Sequence, residues 1–174
     1  GLHAHLQTHP GLLLGDVAFG LARRRAHLEQ RLALPVTSHT ELQALLHAVA
    51  QRQNASGAVS GRVASSPPKI VFVFPGQGSQ WLGMGRTLLR EEPVFRAAFE
   101  ACDRAITAEA GLSVLAELDA DGARSQIGRI DVVQPLLFTM EVALAALWRS
   151  WGVNPDCVVG HSMGGNIAGL YAGI

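Results

Sequence analysis

The sequence predicts an α/β domain built on a parallel sheet, preceded by a small α+β unit. Three observations carry this reading. Ile70 to Phe74 is an unbroken apolar, β-branched and aromatic run that stops at Pro75-Gly76, as a buried central strand does. Asp156 to Gly160 is a second such run, leading into the turn His161-Ser162-Met163-Gly164. Between them lie helical periods, and strand, helices, strand is the order of a parallel sheet with crossover helices.

The front of the chain has its own pattern. Leu2 and Leu6 begin a short helix that ends at the turn His9-Pro10-Gly11, and Asp16 is expected to cap a second helix through Leu21. Leu28 to Val36 reads as a strand ending near Pro35. Ser38 with Glu41 three residues on forms a capping box, and Leu42, Leu45, Leu46 and Val49 follow on one face of a helix. Residues 1–53 are thus expected to form the α+β unit. Residues 54–68 (NASGAVSGRVASSPP) have no apolar period, end in two prolines and read as a flexible linker. The α/β domain is assigned to residues 69–174.

Within that domain, Pro93 starts a helix with Phe95, Ala98, Phe99, Cys102 and Ile106 on a shared face. A longer helix is expected over Gln134–Trp151, with Pro135 at its first position and Gly152 just past its end. Phe95, Phe99, Trp148 and Trp151 are the expected core or interface residues of these two helices.

Composition excludes several functions. Fourteen basic and fourteen acidic residues cancel, and no basic stripe interleaves with aromatics, so nucleic acid is not an expected partner. The longest apolar block, Pro135 to Trp148, is interrupted by Glu141 and falls short of the ~20 residues a bilayer requires, so no membrane association is expected. Cys102 and Cys157 lie far apart, on a helix and on a strand read as buried. Free thiols in a reducing cytoplasmic compartment are expected. His3, His5 and His9 lack a cysteine or carboxylate to complete a ligand set, so no metal is assigned.

The chemistry concentrates at Ser162. A serine flanked at two residues by Gly160 and Gly164, with a strand before it and a helix after it, has the form of a nucleophile elbow, where a sharp turn lifts the hydroxyl clear of the backbone. A neutral hydroxyl requires a base, and the oxyanion formed on attack requires preorganised N–H donors. Met163 offers one such amide at the start of the next helix, where the dipole favours negative charge. Elbow sites of this type take the order serine, acid, histidine. No histidine follows Ser162 in these residues. The expectation is therefore the N-terminal portion of a catalytic domain, inactive as an isolated chain and with part of its sheet's apolar face uncovered. Gly76 and Gly78 do not complete a phosphate loop and read as turn glycines that let the Gln77 backbone approach a substrate.

Two separated segments carry a resemblance. Ile70 to Gly85 (IVFVFPGQGSQWLGMG) and Asp131 to Gly164 (DVVQPLLFTMEVALAALWRSWGVNPDCVVGHSMG) are similar in order and spacing to the acyltransferase domains of modular type I polyketide synthases, relatives of malonyl-CoA:acyl carrier protein transacylase. Asp16 to Glu29 and the capped helix after Ser38 resemble the linker that joins ketosynthase to acyltransferase in those megasynthases. The resemblance implies the N-terminal part of an α/β-hydrolase-like acyltransferase fold. It makes Ser162 the acyl-ester nucleophile, gives the oxyanion role to the backbone amides of Gln77 and Met163, and lines the acyl pocket with Gln134 and His161. It implies acyl-coenzyme A as substrate, no tightly held cofactor, and phosphopantetheine on a partner acyl carrier protein. The ketosynthase domain and the remainder of the acyltransferase domain would be the other partners, with the catalytic histidine and a carboxylate-binding arginine C-terminal to the elbow.

The chain departs from the family after the elbow, reading Gly165-Asn166-Ile167-Ala168-Gly169 where a glutamate and an alanine-rich helix are usual. Glycine costs roughly 1 kcal/mol relative to alanine in a helix interior, so the element that aims the Met163 amide is expected to be weak. A serine hydrolase or thioesterase shares the elbow but uses an HGGG-type loop, not PGQGSQ, for the second donor. A non-catalytic scaffold piece of a megasynthase is the third reading.

Overall fold

The computed structural model describes residues 1–173. The chain divides into two compact units, one comprising Gly1–Pro67 and the other beginning at Pro68.

In the first unit, α1 (Leu2–Thr8) and α3 (His39–Ala50) pack together through Leu6 and Leu42, both buried. Ser38 Oγ accepts the Glu41 N–H at 3.2 Å, while the Glu41 carboxylate reaches one residue further back, to the Thr37 N–H at 2.8 Å, so the cap spans Thr37 as well as Ser38. Helix α2 covers Leu14–Arg23. Asp16 is not its cap: the helix begins earlier, at Leu14, and leaves Asp16 inside the first turn, where its charge still complements the helix dipole. Strand β1 (Gln30–Ala33) pairs antiparallel with β2 (Val59–Arg62), Gln30 opposite Arg62 and Ala33 opposite Val59. Glu29 and Arg62 close the pair with a salt bridge of 2.6 Å. Strand β2 corrects the reading of 54–68 as linker throughout. Both strands are exposed along their length, so backbone pairing and not an apolar pattern holds Val59–Arg62, and periodicity could not reveal it.

In the second unit, β3 (Val71–Phe74) and β4 (Cys157–Gly160) pair in parallel, Val71 opposite Cys157 and Phe74 opposite Gly160. Asp156 fastens their entry, accepting from the Ile70 N–H and from Lys69 Nζ, each at 2.9 Å. Those bonds, the backbone one foremost, hold its carboxyl below the usual carboxylate range. The crossover carries α4 (Arg86–Glu91), α5 (Pro93–Ala110), α6 (Val114–Asp119) and α7 (Ile130–Ser150). Pro93 occupies the first position of α5 and Gly111 ends it with φ of +67°. Phe95 and Phe99 of α5 are fully buried and pack with Met84, Val114, Leu118, Leu136, Leu137 and Met140 in the main core. Burying each phenyl ring contributes roughly 1.5–3 kcal/mol.

Helix α7 starts at Ile130, one turn earlier than expected. Pro135 is consequently inside it. The missing N–H removes a bond only to Asp131, while Val132 and Val133 already bond back to Arg129. Helix α7 has the length and apolarity of a membrane span, but more than half of that window is buried within the protein. Beyond Leu147 it leaves the core: Trp148 and Trp151 are exposed and meet edge to face, with centroids 5.3 Å apart. A place for these two in the core is therefore not seen.

The inner face of the sheet, Phe72 and Phe74, lies against Ala145 of α7 and Ile167 of α8 (Gly164–Ala172). The outer face is bare among the described residues: Val71, Val73 and Val159 are 48%, 67% and 50% exposed, and Cys157 is exposed beside them. Strand β3 is thus covered on one face and not on two, and Cys157 is not buried. Both cysteines are free thiols, that of Cys102 pushed upward by burial.

Candidate active site

The elbow forms where β4 runs into α8. Ser162 has φ of +56°, a left-handed conformation that costs about 1–3 kcal/mol for a residue with a side chain and persists only where the surroundings enforce it. Gly160 and Gly164 do the enforcing. A Cβ on Gly160 would fall on the Gly164 carbonyl and the Gly165 Cα, and a Cβ on Gly164 would fall on the carbonyls of Phe74 and Pro75. Strand, turn and helix therefore approach more closely than any other residue allows. The turn is closed by Gly164 N–H to His161 O and Gly165 N–H to Ser162 O, both 3.0 Å. The side chain of Ser162 is exposed.

Helix α8 forms despite its glycines because tertiary packing supports it. Ile167 is fully buried, Tyr171 stacks on Phe74 with ring centroids 5.5 Å apart, and the Tyr171 hydroxyl donates to Val142 O at 3.2 Å. Packing of a single apolar face outweighs propensity in a helix this short.

The loop after β3 meets the elbow. His161 N–H donates to Phe74 O at 3.0 Å, continuing the parallel ladder. A Cβ on Gly76 would stand 3.3 Å from Ser162 Cβ and 3.5 Å from His161 Nδ1. Gln77 is the next residue along. Its backbone N–H and that of Met163 take part in no hydrogen bond among the described residues, leaving two donors at the turn available to an oxygen. Met163 packs its side chain onto the main core, which anchors the residue whose amide opens α8.

Gln134 comes to the same loop from α7: its Nε2 donates to Gln77 Oε1 at 3.4 Å. Gly78 N–H is held by Gln80 Oε1 at 2.8 Å. The structure thus brings Gly76, Gln77, Gln134, His161, Ser162 and Met163 together from three elements. His161 is exposed and is the last histidine of the chain.

A cavity of this unit lies elsewhere. A groove of about 640 Å³ follows β3 and α7, lined by Val73, Trp81, Met84, Leu144 and Trp148, and it includes none of Ser162, His161 and Gln134. It contains Glu141, whose Oε2 is buried without a partner. Burial raises that carboxyl to about 7. In the sequence, Glu141 showed only as an interruption of an apolar block. Among the described residues no group of three or more His, Cys, Asp or Glu side chains forms a metal site.

Residues 71–173 match the acyl transferase domain family, and residues 1–46 match the CurL-like, PKS C-terminal family. The chain is 44% identical over 178 residues to polyketide synthase GfsE of Streptomyces halstedii, and 46% identical over 169 residues to erythronolide synthase EryA3 of Saccharopolyspora erythraea. Those alignments cover 99% and 97% of this chain and 5% of each synthase. Among solved structures, the acyltransferase domain from module 8 of the salinomycin polyketide synthase superposes with a TM-score of 0.84 at 38% identity, over 99% of this chain and 41% of that one. The acyl transferase domain of SpnD, in complex with 2-(pent-4-yn-1-yl)malonyl, superposes with a TM-score of 0.79 at 34% identity, over 99% and 40%.

Proposed function

The chain belongs to the acyl transferase domain family, and from that membership we propose that it supplies the nucleophile half of a polyketide synthase acyltransferase. In this reading Ser162 Oγ attacks the thioester carbonyl of an acyl-coenzyme A and its proton passes to a base. The C–S bond then breaks, coenzyme A leaves as the thiol, and the acyl group remains as a serine ester. The phosphopantetheine thiol of an acyl carrier protein attacks that ester, taking the acyl group and returning the proton to Ser162.

The amides of Gln77 and Met163 are the oxyanion donors, and His161 borders the acyl group, with Gln134 standing beside the Gln77 side chain. The observation that supports this reading is the close approach of Gly76 to Ser162, one residue before Gln77 in the chain. The histidine base and the arginine for a carboxylated substrate belong to the remainder of the domain. A malonyl-type acyl group is the favoured substrate class, supported by the malonyl derivative held by the similar acyl transferase domain of SpnD.

Residues 1–53 serve as the linker domain that follows a ketosynthase, with β2 (Val59–Arg62) completing its sheet; the rest of 54–68 leads on to the catalytic part, and 69–174 begin the acyltransferase domain. The ketosynthase, the acyl carrier protein and the rest of the acyltransferase are the partners, and the cytoplasm is the setting. No tightly bound cofactor takes part.

The test uses the intact acyltransferase domain containing these residues, incubated with radiolabelled malonyl-CoA and then with carrier protein. Stoichiometric label on the protein, absent in Ser162→Ala and passed to the carrier thiol, is expected. Label that survives Ser162→Ala would overturn the assignment, and release of free malonate without transfer would favour the hydrolase reading.

A further inference from the structure

Gln77 lies between two glycines, and Gly78 holds φ of +129°, a region that side-chain-bearing residues rarely enter. A loop with this much backbone freedom does not direct an amide by itself, since ordering each residue costs about 1–2 kcal/mol. Before Gln77, the loop is steadied by Gly76 against Ser162 and His161. After it, Gly78 N–H is tied to Gln80 within the loop. Among the described residues, the one hydrogen bond from Gln77 to another element is that of its side chain with Gln134.

Gln134 is well placed to act as a post. Its neighbours on α7, Val132, Val133, Leu136 and Leu137, are buried in the core, so the backbone that carries it is held on a packed helix. A primary amide can also keep such a contact with either orientation of its partner, because exchanging O and N still leaves one donor and one acceptor.

Resting on the reading of Gln77 as an oxyanion donor, we propose that Gln134 is a positioning residue: it fixes the Gln77 side chain, and through it the direction of the Gln77 backbone amide, without contacting the acyl group. Kinetics separates this role from pocket lining. A residue that touches the acyl group contributes to substrate binding, whereas one that only aims an oxyanion donor acts in the transition state and leaves binding alone.

A double-mutant cycle in the intact acyltransferase domain tests the proposal, with single-turnover acylation of Ser162 by malonyl-CoA as the readout. Gln134→Ala is expected to slow acylation by about fivefold to tenfold, the size of one neutral hydrogen bond, with KM for malonyl-CoA unchanged within about twofold. Gln77→Ala, which keeps its backbone amide, should slow the reaction similarly. The double variant should be no slower than either single one, because both remove the same contact. Multiplicative effects, or a rise in KM on Gln134→Ala, would overturn the proposal.

Gln134→Asn provides a second arm should the alanine variant fold poorly. Its amide is one methylene shorter and no longer reaches the Gln77 side chain, so acylation should slow about as much as in Gln134→Ala, with KM for malonyl-CoA unchanged within about twofold. A raised KM with an unchanged acylation rate would place Gln134 against the acyl group and overturn the positioning role. Ser162→Ala run in parallel keeps the two levels apart. If it is unlabelled while the cycle is multiplicative, only the role of Gln134 fails. If it is labelled, the functional reading fails and this inference with it.

Discussion

Gly76 lies against Ser162, with room for hydrogen and little more: a methyl group at Gly76 would stand 3.3 Å from Ser162 Cβ, 3.5 Å from His161 Nδ1 and 3.6 Å from His161 O. Two motifs far apart in the chain therefore meet through a residue without a side chain. Gly76→Ala requires the elbow or the loop to give by a few tenths of an ångström. Because small misplacements of reacting groups are expensive in rate, we expect the intact domain to lose about tenfold in Ser162 acylation while its melting temperature changes by only a few degrees. Single-turnover labelling and a thermal melt on the same preparation check this.

The glycines of α8 differ in what they can tolerate. Gly164 faces the backbone of Phe74 and Pro75, which cannot rotate away, whereas Gly165 has open space around its Cα. Gly164→Ala is expected to destabilise the domain by about 1–3 kcal/mol or more through overpacking. Gly165→Ala is expected to be neutral, or stabilising by up to about 1 kcal/mol, from the lower backbone entropy of alanine. Urea titrations of the two variants should move their midpoints in opposite directions or, for Gly165→Ala, not at all.

Glu141 makes stability depend on pH. Its ordinary value near 4.5 is raised to about 7 in the fold by burial, so the folded chain holds a proton that the unfolded chain has released. Stability is full below about 4.5, falls as pH rises through the interval, and levels off above about 7. Glu141→Gln removes the ionisation. The melting temperature of the 174-residue chain carrying Glu141→Gln, relative to wild type, should increase between pH 4.5 and 7.5 and then stay constant. A difference independent of pH would show that Glu141 ionises normally.

The 174-residue polypeptide assayed by itself should not turn over. It contains Ser162 and the amides of Gln77 and Met163, but no histidine beyond position 161. In a serine-protease triad, loss of the histidine alone lowers the rate about 10⁶-fold. Malonyl-CoA is expected to leave this polypeptide unlabelled under conditions that label the intact domain to completion.

Local signals determined much of this from the order of residues alone. The apolar runs at Val71–Phe74 and Cys157–Gly160, the Ser38 cap, Pro93 opening α5, and the glycine-spaced turn at Ser162 all depend on neighbours within a few positions, where propensity and sterics act directly. Tertiary structure decided the rest. Strand β2 exists because Val59–Arg62 finds the edge of β1, not because of its own pattern. Helix α7 begins at Ile130 because Val132 and Val133 in its first turn have a core to enter, and Trp148 and Trp151 are exposed because that core ends at Leu147. The buried state of Glu141, the contact of Gln134 with Gln77, and the meeting of Gly76 with Ser162 join residues tens of positions apart. Such pairs are set by how helices and strands pack in three dimensions, and periodicity along one element holds no record of what another element brings against it.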